Sequence, residues 1–383
     1  MKIGIDCRTI LNPGRGEQAG IGHYTYYLVK TLLKLDHKNE YVLFFDSRVE
    51  RERAQEFEQG NVKVKFFPFS QYRRFLPVGY THLLITGFLM RERLDLFHAP
   101  ATSLPLTYRG RSVVTVHDLA IYKHPRLFPR GQFLSTKLVV PRSIRRAKKI
   151  IAVSEATKKD VRQLFRIAEK RIKVVYEGFV RERVGRGVVD VREKYGLKRP
   201  YVCFVGTIEP RKNLVNLIKG FSSVANLPGM KKVDLVLAGT PGWKYGDVIR
   251  AIKDAKLGDR LRYLGYLPHQ DKLQLIEQSA VFAFPSVYEG FGLPVLEAMS
   301  LGVPVVTSRV SALPEIAGTA AVFVNPARFR DIGQAIAKVI GNKRLREKLI
   351  EEGKRRSAMF TWEATARETL QVYREVLQER THA

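Results

Sequence analysis

Short apolar, β-branched runs recur along the first half of the chain: Lys2–Cys7, Tyr41–Phe45, Val62–Phe66, Leu94–His98, Ser112–His117, Ile150–Val153 and Ile172–Tyr176. Continuous apolar runs of this length predict strands buried on both faces. Between several of them lie amphipathic stretches, such as 21–35 and 132–147, which predict helices. Strands alternating with helices predict a parallel α/β domain. A charged, glycine-containing segment from Gly178 to Pro200 interrupts the pattern and predicts a linker, with a short helix over Val189–Tyr195. The strand pattern then restarts at Tyr201–Gly206, Val233–Gly239, Leu261–Leu264, Val281–Pro285, Val303–Ser308 and Ala321–Val324. From Phe360 onward the pattern is helical, with Trp362, Leu370, Tyr373 and Val376 on one stripe that predicts packing against a core.

The 383-residue chain is too long for one ordinary core and fits two domains of about 180 residues each, with a cleft between them. The first residues, Met1-Lys-Ile-Gly-Ile-Asp6, read as a strand and not as a signal peptide. No apolar run approaches the roughly 20 residues that span a bilayer, so the expectation is a cytoplasmic protein, soluble or peripheral on the inner membrane face. Cys7 and Cys203 fall in strands of different domains and read as small core residues. The net charge of +29 is uneven, with 36 basic against 17 acidic residues up to residue 186. Residues 142–173 alone hold twelve basic side chains, among them Arg142, Arg145, Arg146, Lys149, Lys158, Arg162 and Arg171. No recognition helix, zinc-ligand or base-stacking pattern accompanies them, which argues against nucleic acid. An anionic membrane fits better, because Gln71–Tyr80 mixes aromatics with arginines; a solvated basic face is the alternative.

Chemistry concentrates in Glu289-Gly-Phe-Gly-Leu-Pro-Val-Leu-Glu297, two carboxylates around a glycine-bearing turn that leads into a helix. Pro294 suits a first helical position, and the backbone N–H groups at Phe291, Gly292 and Leu293 then face an oxygen-rich, anionic ligand. Gly292 permits close approach, while Glu289 and Glu297, the latter expected in the first helical turn, can accept hydroxyl hydrogen bonds from the vicinal diols of a sugar and a ribose. The stretch continues through Gly302-Val-Pro-Val-Val-Thr-Ser308 to Leu313-Pro-Glu315. It resembles the signature of the retaining glycosyltransferases of family 4, two glutamates separated by seven residues, and weaker likeness reaches back to residue 1. The resemblance implies two Rossmann-like parallel-sheet domains facing a cleft, the GT-B arrangement. Residues 1–180 would bind the acceptor, 181–359 the nucleotide sugar, and a C-terminal helix, 360–383, would cross back to the first domain.

Sugar transfer from a nucleotide sugar must stabilise charge growing on the leaving diphosphate, which calls for fixed cations or a metal. No Asp-x-Asp pair stands at a strand end, whereas Gly206-Thr-Ile-Glu-Pro-Arg211-Lys212-Asn213 sets two cations between a strand and a helix, so no metal or other cofactor is expected. The resemblance gives Arg211 and Lys212 the diphosphate; many family members carry Arg where this chain has Thr207. Gly20 and Gly22, at the start of the first helix, are expected to contact and support phosphate. His117, at a strand end, is implied to contact the donor sugar near the reacting centre, with Asp118 orienting it or approaching an acceptor hydroxyl. His98 would line the acceptor side or simply cap its strand. Glu289 is implied to hold sugar hydroxyls and Glu297 the ribose diol; Tyr263–Pro268, with Gly239 and Thr240 nearby, would lie against the base or equally serve plain strand-end packing.

The expected function is retaining transfer of a hexose, first of all mannose from GDP-mannose, to a glycan or lipid-linked glycan. Two other readings stay open: a nucleotide-sugar epimerase or hydrolase of the same fold, and a basic membrane- or nucleic-acid-binding protein with an inactive cleft.

Overall fold

The computed structural model describes residues 1–10, 20–67, 83–129, 135–182, 184–185 and 189–378. Gln71–Tyr80, the start of the 132–147 stretch and part of the linker lie outside them. The first sheet comprises β1 (Lys2–Asp6), β2 (Glu40–Asp46), β3 (Val62–Phe67), β4 (Leu96–Ala99), β5 (Ser112–Val116), β6 (Lys149–Ala152) and β7 (Ile172–Val174), in the order β3-β2-β1-β4-β5-β6-β7. All its pairings are parallel; Ile3, for example, stands between Tyr41 and Leu96. The second sheet comprises β8 (Tyr201–Val205), β9 (Asp234–Ala238), β10 (Leu261–Tyr263), β11 (Val281–Phe284), β12 (Val305–Ser308) and β13 (Ala321–Val324), in the order β10-β9-β8-β11-β12-β13. It too is parallel. Helices cover both faces of such sheets, which is why β5, β9 and β11 are buried along their whole length and read as unbroken apolar runs. These are the two Rossmann-like domains of the GT-B fold.

Two compact units emerge. One contains the chain up to Tyr122, the stretch ending at Gly178 and the part from Phe360 on. The other contains Phe179–Met359 together with the short segment Lys123–Pro129. In that second unit Trp243 Nε1 donates to Leu127 O at 2.6 Å and the Phe128 and Trp243 rings lie 5.6 Å apart. The linker's short helix forms over Val191–Lys194, with the Asp190 side chain accepting from Arg192 N.

The C-terminal helix, Trp362–Gln378, returns to the first unit and buries Trp362, Leu370, Tyr373 and Val376, the stripe read from the sequence. Thr365 Oγ1 donates to Tyr176 O at 2.8 Å, and Glu375 pairs with Lys149 at 3.0 Å. Both cysteines are buried and free. Part of the positive charge that suggested a binding face serves the fold. Arg146 caps the carbonyls of Leu106 and Tyr108, Arg171 donates to Arg145 O at 2.7 Å, and Lys158 and Arg162 pair with Glu169. Among the described residues no helix is long and apolar enough to cross a membrane.

Candidate active site

The loop after β8 and the loop after β11 meet at the carboxyl edge of the second sheet, and their charged residues interlock. Glu289 is buried, and each of its oxygens takes a different cation: Oε1 accepts from Lys212 Nζ and Oε2 from Arg211 Nη1, both at 2.7 Å. Arg211 is itself held by Glu209, which accepts from Nε at 2.9 Å and pairs with Nη2 at 2.8 Å. Lys212 is also buried, with its ammonium 4.9 Å from the centre of the Phe284 ring. Burial alone would raise the Glu289 carboxyl, but Lys212 and Arg211 outweigh it and hold the group below its ordinary range. Burial pulls Lys212 down, with Glu289 opposing. Asn213, at a left-handed φ of 62°, ties the loop by donating to Pro285 O and Pro326 O at 3.0 and 2.8 Å. Glu289 is fixed through its backbone too, its N–H donating to Ser311 Oγ at 2.8 Å.

The helix Leu293–Ser300 starts at the glycine turn, one residue earlier than Pro294 suggested. Gly292 is its N-cap at φ 123°, a conformation that favours glycine, and Pro294 occupies its second position. Phe291 is buried and Leu293 half-buried. Glu297 sits one residue further in than expected, as the fifth helical residue, and pairs with Lys272 at 3.1 Å while remaining partly exposed. At the strand ends, Tyr263 donates to Gly239 O at 2.9 Å.

In the first unit, His117 stands one residue beyond β5. Its Nδ1 meets Glu177 Oε1 at 2.8 Å, its Nε2 meets Pro100 O at 2.9 Å, and the Tyr24 ring lies edge-on to it with centroids 4.6 Å apart. Asp118 does not orient this histidine: it is exposed, and its Oδ1 accepts from Ala120 N at 3.0 Å, capping the short helix Ala120–Lys123. His98 is fully buried, with Nδ1 against Tyr373 Oη at 2.6 Å and Nε2 against Thr115 Oγ1 at 2.8 Å. Of its two expected roles, tying the strand suits this placement and lining an acceptor surface does not. Gly20 starts the first helix at φ 72°. Gly22 has a packing reason of its own, since a Cβ there would meet Thr9 O at 2.5 Å.

Burial pushes the His98 imidazole down to about 3, with His117 nearby adding to the effect. A group depressed in the folded state contributes stability above its unfolded value of about 6.5 and loses it as pH falls toward the folded value. The chain is therefore expected to lose roughly 2 kcal/mol between pH 6.5 and 5, read as a falling urea midpoint.

Two acids in these clusters were not singled out from the sequence. Glu209 lies two residues before Arg211 across Pro210, near enough to have been suspected. Glu177 follows the last strand of its sheet, as His117 follows β5, but 60 positions separate the two.

Two family models match in tandem: Glycosyltransferase Family 4 over residues 19–183 and Glycosyl transferases group 1 over residues 190–356. With the paired parallel sheets, they define a GT-B glycosyltransferase. The chain carries a Glycosyltransferase Family 4 domain followed by a Glycosyl transferases group 1 domain. It is 29% identical over 366 residues to O-antigen chain mannosyltransferase B of Escherichia coli, covering 93% of this chain and 96% of that protein. Its fold matches sucrose-phosphate synthase from Thermosynechococcus elongatus (TM-score 0.75, 20% identity, 99% of each chain). It also matches Anabaena Alr3699/HepE in complex with UDP and glucose (TM-score 0.70, 18% identity, 97% of this chain and 99% of that one).

Proposed function

We propose that this glycosyltransferase moves mannose from GDP-mannose, with retention at the anomeric carbon, to a hydroxyl of a glycan or lipid-linked glycan. The observation that carries the reading is the buried Glu289 carboxylate gripped by Arg211 and Lys212 ahead of the helix Leu293–Ser300. Two fixed cations at a sheet's carboxyl edge suit a leaving diphosphate, whose developing charge they would neutralise without a metal. A carboxylate offers about four lone-pair sites, so Glu289 can accept sugar hydroxyls beside its cations. Phe291, Gly292 and Leu293 would line the sugar, and Glu297 would hold the ribose. From the N-terminal unit, His117 would contact the donor sugar and Gly20 the phosphate, with Gly22 in support. Mannose is favoured by the Escherichia coli relative, which is named a mannosyltransferase. HepE, solved with UDP and glucose, supports a nucleotide-sugar donor in general. The place of action would be the cytoplasm, peripheral to the inner membrane face.

A melting panel of GDP-mannose, UDP-glucose, UDP-GlcNAc and dTDP-rhamnose tests the donor. A ligand that binds only the folded state stabilises by about 2.7 kcal/mol at one hundred times its Kd. Stabilisation by GDP-mannose alone, lost in Arg211→Ala, is expected. A shift with a different donor would replace mannose, and an unchanged shift in Arg211→Ala would remove Arg211 from the diphosphate.

A further inference from the structure

We propose that Glu177 is a positioning residue for His117, and that the C-terminal helix sets Glu177 in place. The inference rests on the reading that His117 contacts the donor sugar. Both ring nitrogens of His117 face oxygen. Pro100 O can only accept, so Nε2 donates to it. Nδ1 then faces a carboxylate oxygen at 2.8 Å, and two lone pairs do not meet at that distance. The contact therefore has a hydrogen between the two atoms, and whichever atom carries it, Nδ1 is engaged with Glu177. His117 therefore has no ring lone pair free to take a proton from an acceptor hydroxyl, and its part in transfer is that of an oriented ring. Side-chain exposures of 14% for His117 and 7% for Glu177 leave the ring reachable and its partner enclosed.

Glu177 owes its position to Trp362–Gln378. On one side, Tyr176 O accepts from Thr365 Oγ1 at 2.8 Å and the Tyr176 ring meets Phe360 at 5.7 Å. On the other, Gly178 lies so close to Trp362 that a Cβ on it would stand 2.4 Å from the indole Cδ2 and 2.6 Å from the Trp362 Cα. The segment 176–178 is thus pinned at both ends to the crossing helix, with Glu177 between the pins and turned toward His117. A helix that could serve the core alone also fixes the orientation of the histidine.

The test measures release of nucleoside diphosphate from GDP-mannose, with octyl α-mannoside as acceptor, in wild type, Glu177→Ala, His117→Ala and the double variant. Glu177→Ala is expected to lower kcat about tenfold or more while the donor KM stays within about threefold. In the His117→Ala background the same change should add less than about twofold, because a residue acting through His117 has nothing left to orient. Glu177→Gln, whose amide N–H can donate to Nδ1 and hold the ring, should recover much of kcat, and Glu177→Asp serves as the probe if the Ala variant does not fold. Full multiplication of the two single effects, or a wild-type kcat in Glu177→Ala beside an impaired His117→Ala, overturns the positioning role. A wild-type kcat in His117→Ala overturns the reading of His117 itself, and this inference with it.

Discussion

Glu289→Ala is expected to destabilise the protein by about 3–5 kcal/mol and to lower turnover at least about a hundredfold. Removing one partner of a buried ionic cluster leaves the others charged in a poorly hydrated place. Here the change strips Lys212 of the carboxylate 2.7 Å away and Arg211 of one of its two acids. Glu289→Gln separates the two effects, because the amide keeps the shape and an acceptor oxygen but not the charge. Denaturant unfolding of both variants, beside donor turnover, checks the expectation. A Glu289→Ala protein with wild-type stability would show that the cluster contributes little to the fold. The Lys272–Glu297 pair makes a useful contrast: it is partly exposed, so Lys272→Ala should cost no more than about 1 kcal/mol.

Gly239→Ala is expected to cost at least about 3 kcal/mol and to yield little folded protein. Gly239 follows β9 at φ 143°, and a Cβ there would stand 1.8 Å from Gly206 O, a backbone atom with no rotamer to move. Gly206 N in turn donates to Ala238 O at 3.0 Å, so retreat of either strand end breaks the ladder that carries the Arg211 loop. Gly246→Ala, at the start of the helix Gly246–Asp254, where an added Cβ would meet no atom within 4 Å, should be neutral or slightly stabilising. Thermal melts of the two variants side by side make the comparison; equal melting temperatures would contradict the close-approach argument.

Sequence alone carried the strands well because parallel strands covered on both faces need uninterrupted apolar residues. The start of β4 is a small exception: Leu94 and Asp95 precede it, and Asp95 lies at the strand entry, its carboxylate accepting from Lys2 N at 2.9 Å. The two strand-terminal histidines looked alike in sequence and differ in space. His98 lies within β4, so its side chain enters the layer under the C-terminal helix, whereas His117 lies one residue past β5, at the open edge of the sheet. One residue of register decides between a core contact and a place at the sheet's edge. The cations Arg211 and Lys212 were legible from their place between strand and helix, and Glu289 from its turn. That all three interlock was not, because ion pairing between loops 77 and 78 positions apart leaves no local pattern. Glu177 escaped for the same reason.

Whether the Glu289 cluster runs a retaining mannosyl transfer is decided by following the anomeric protons by NMR while the enzyme acts on GDP-mannose and octyl α-mannoside. The donor signal should disappear as a new α-linked mannosyl signal grows, and both changes should be abolished in Glu289→Ala. A β-linked product, or turnover that survives in a folded Glu289→Ala protein, would contradict that mechanism.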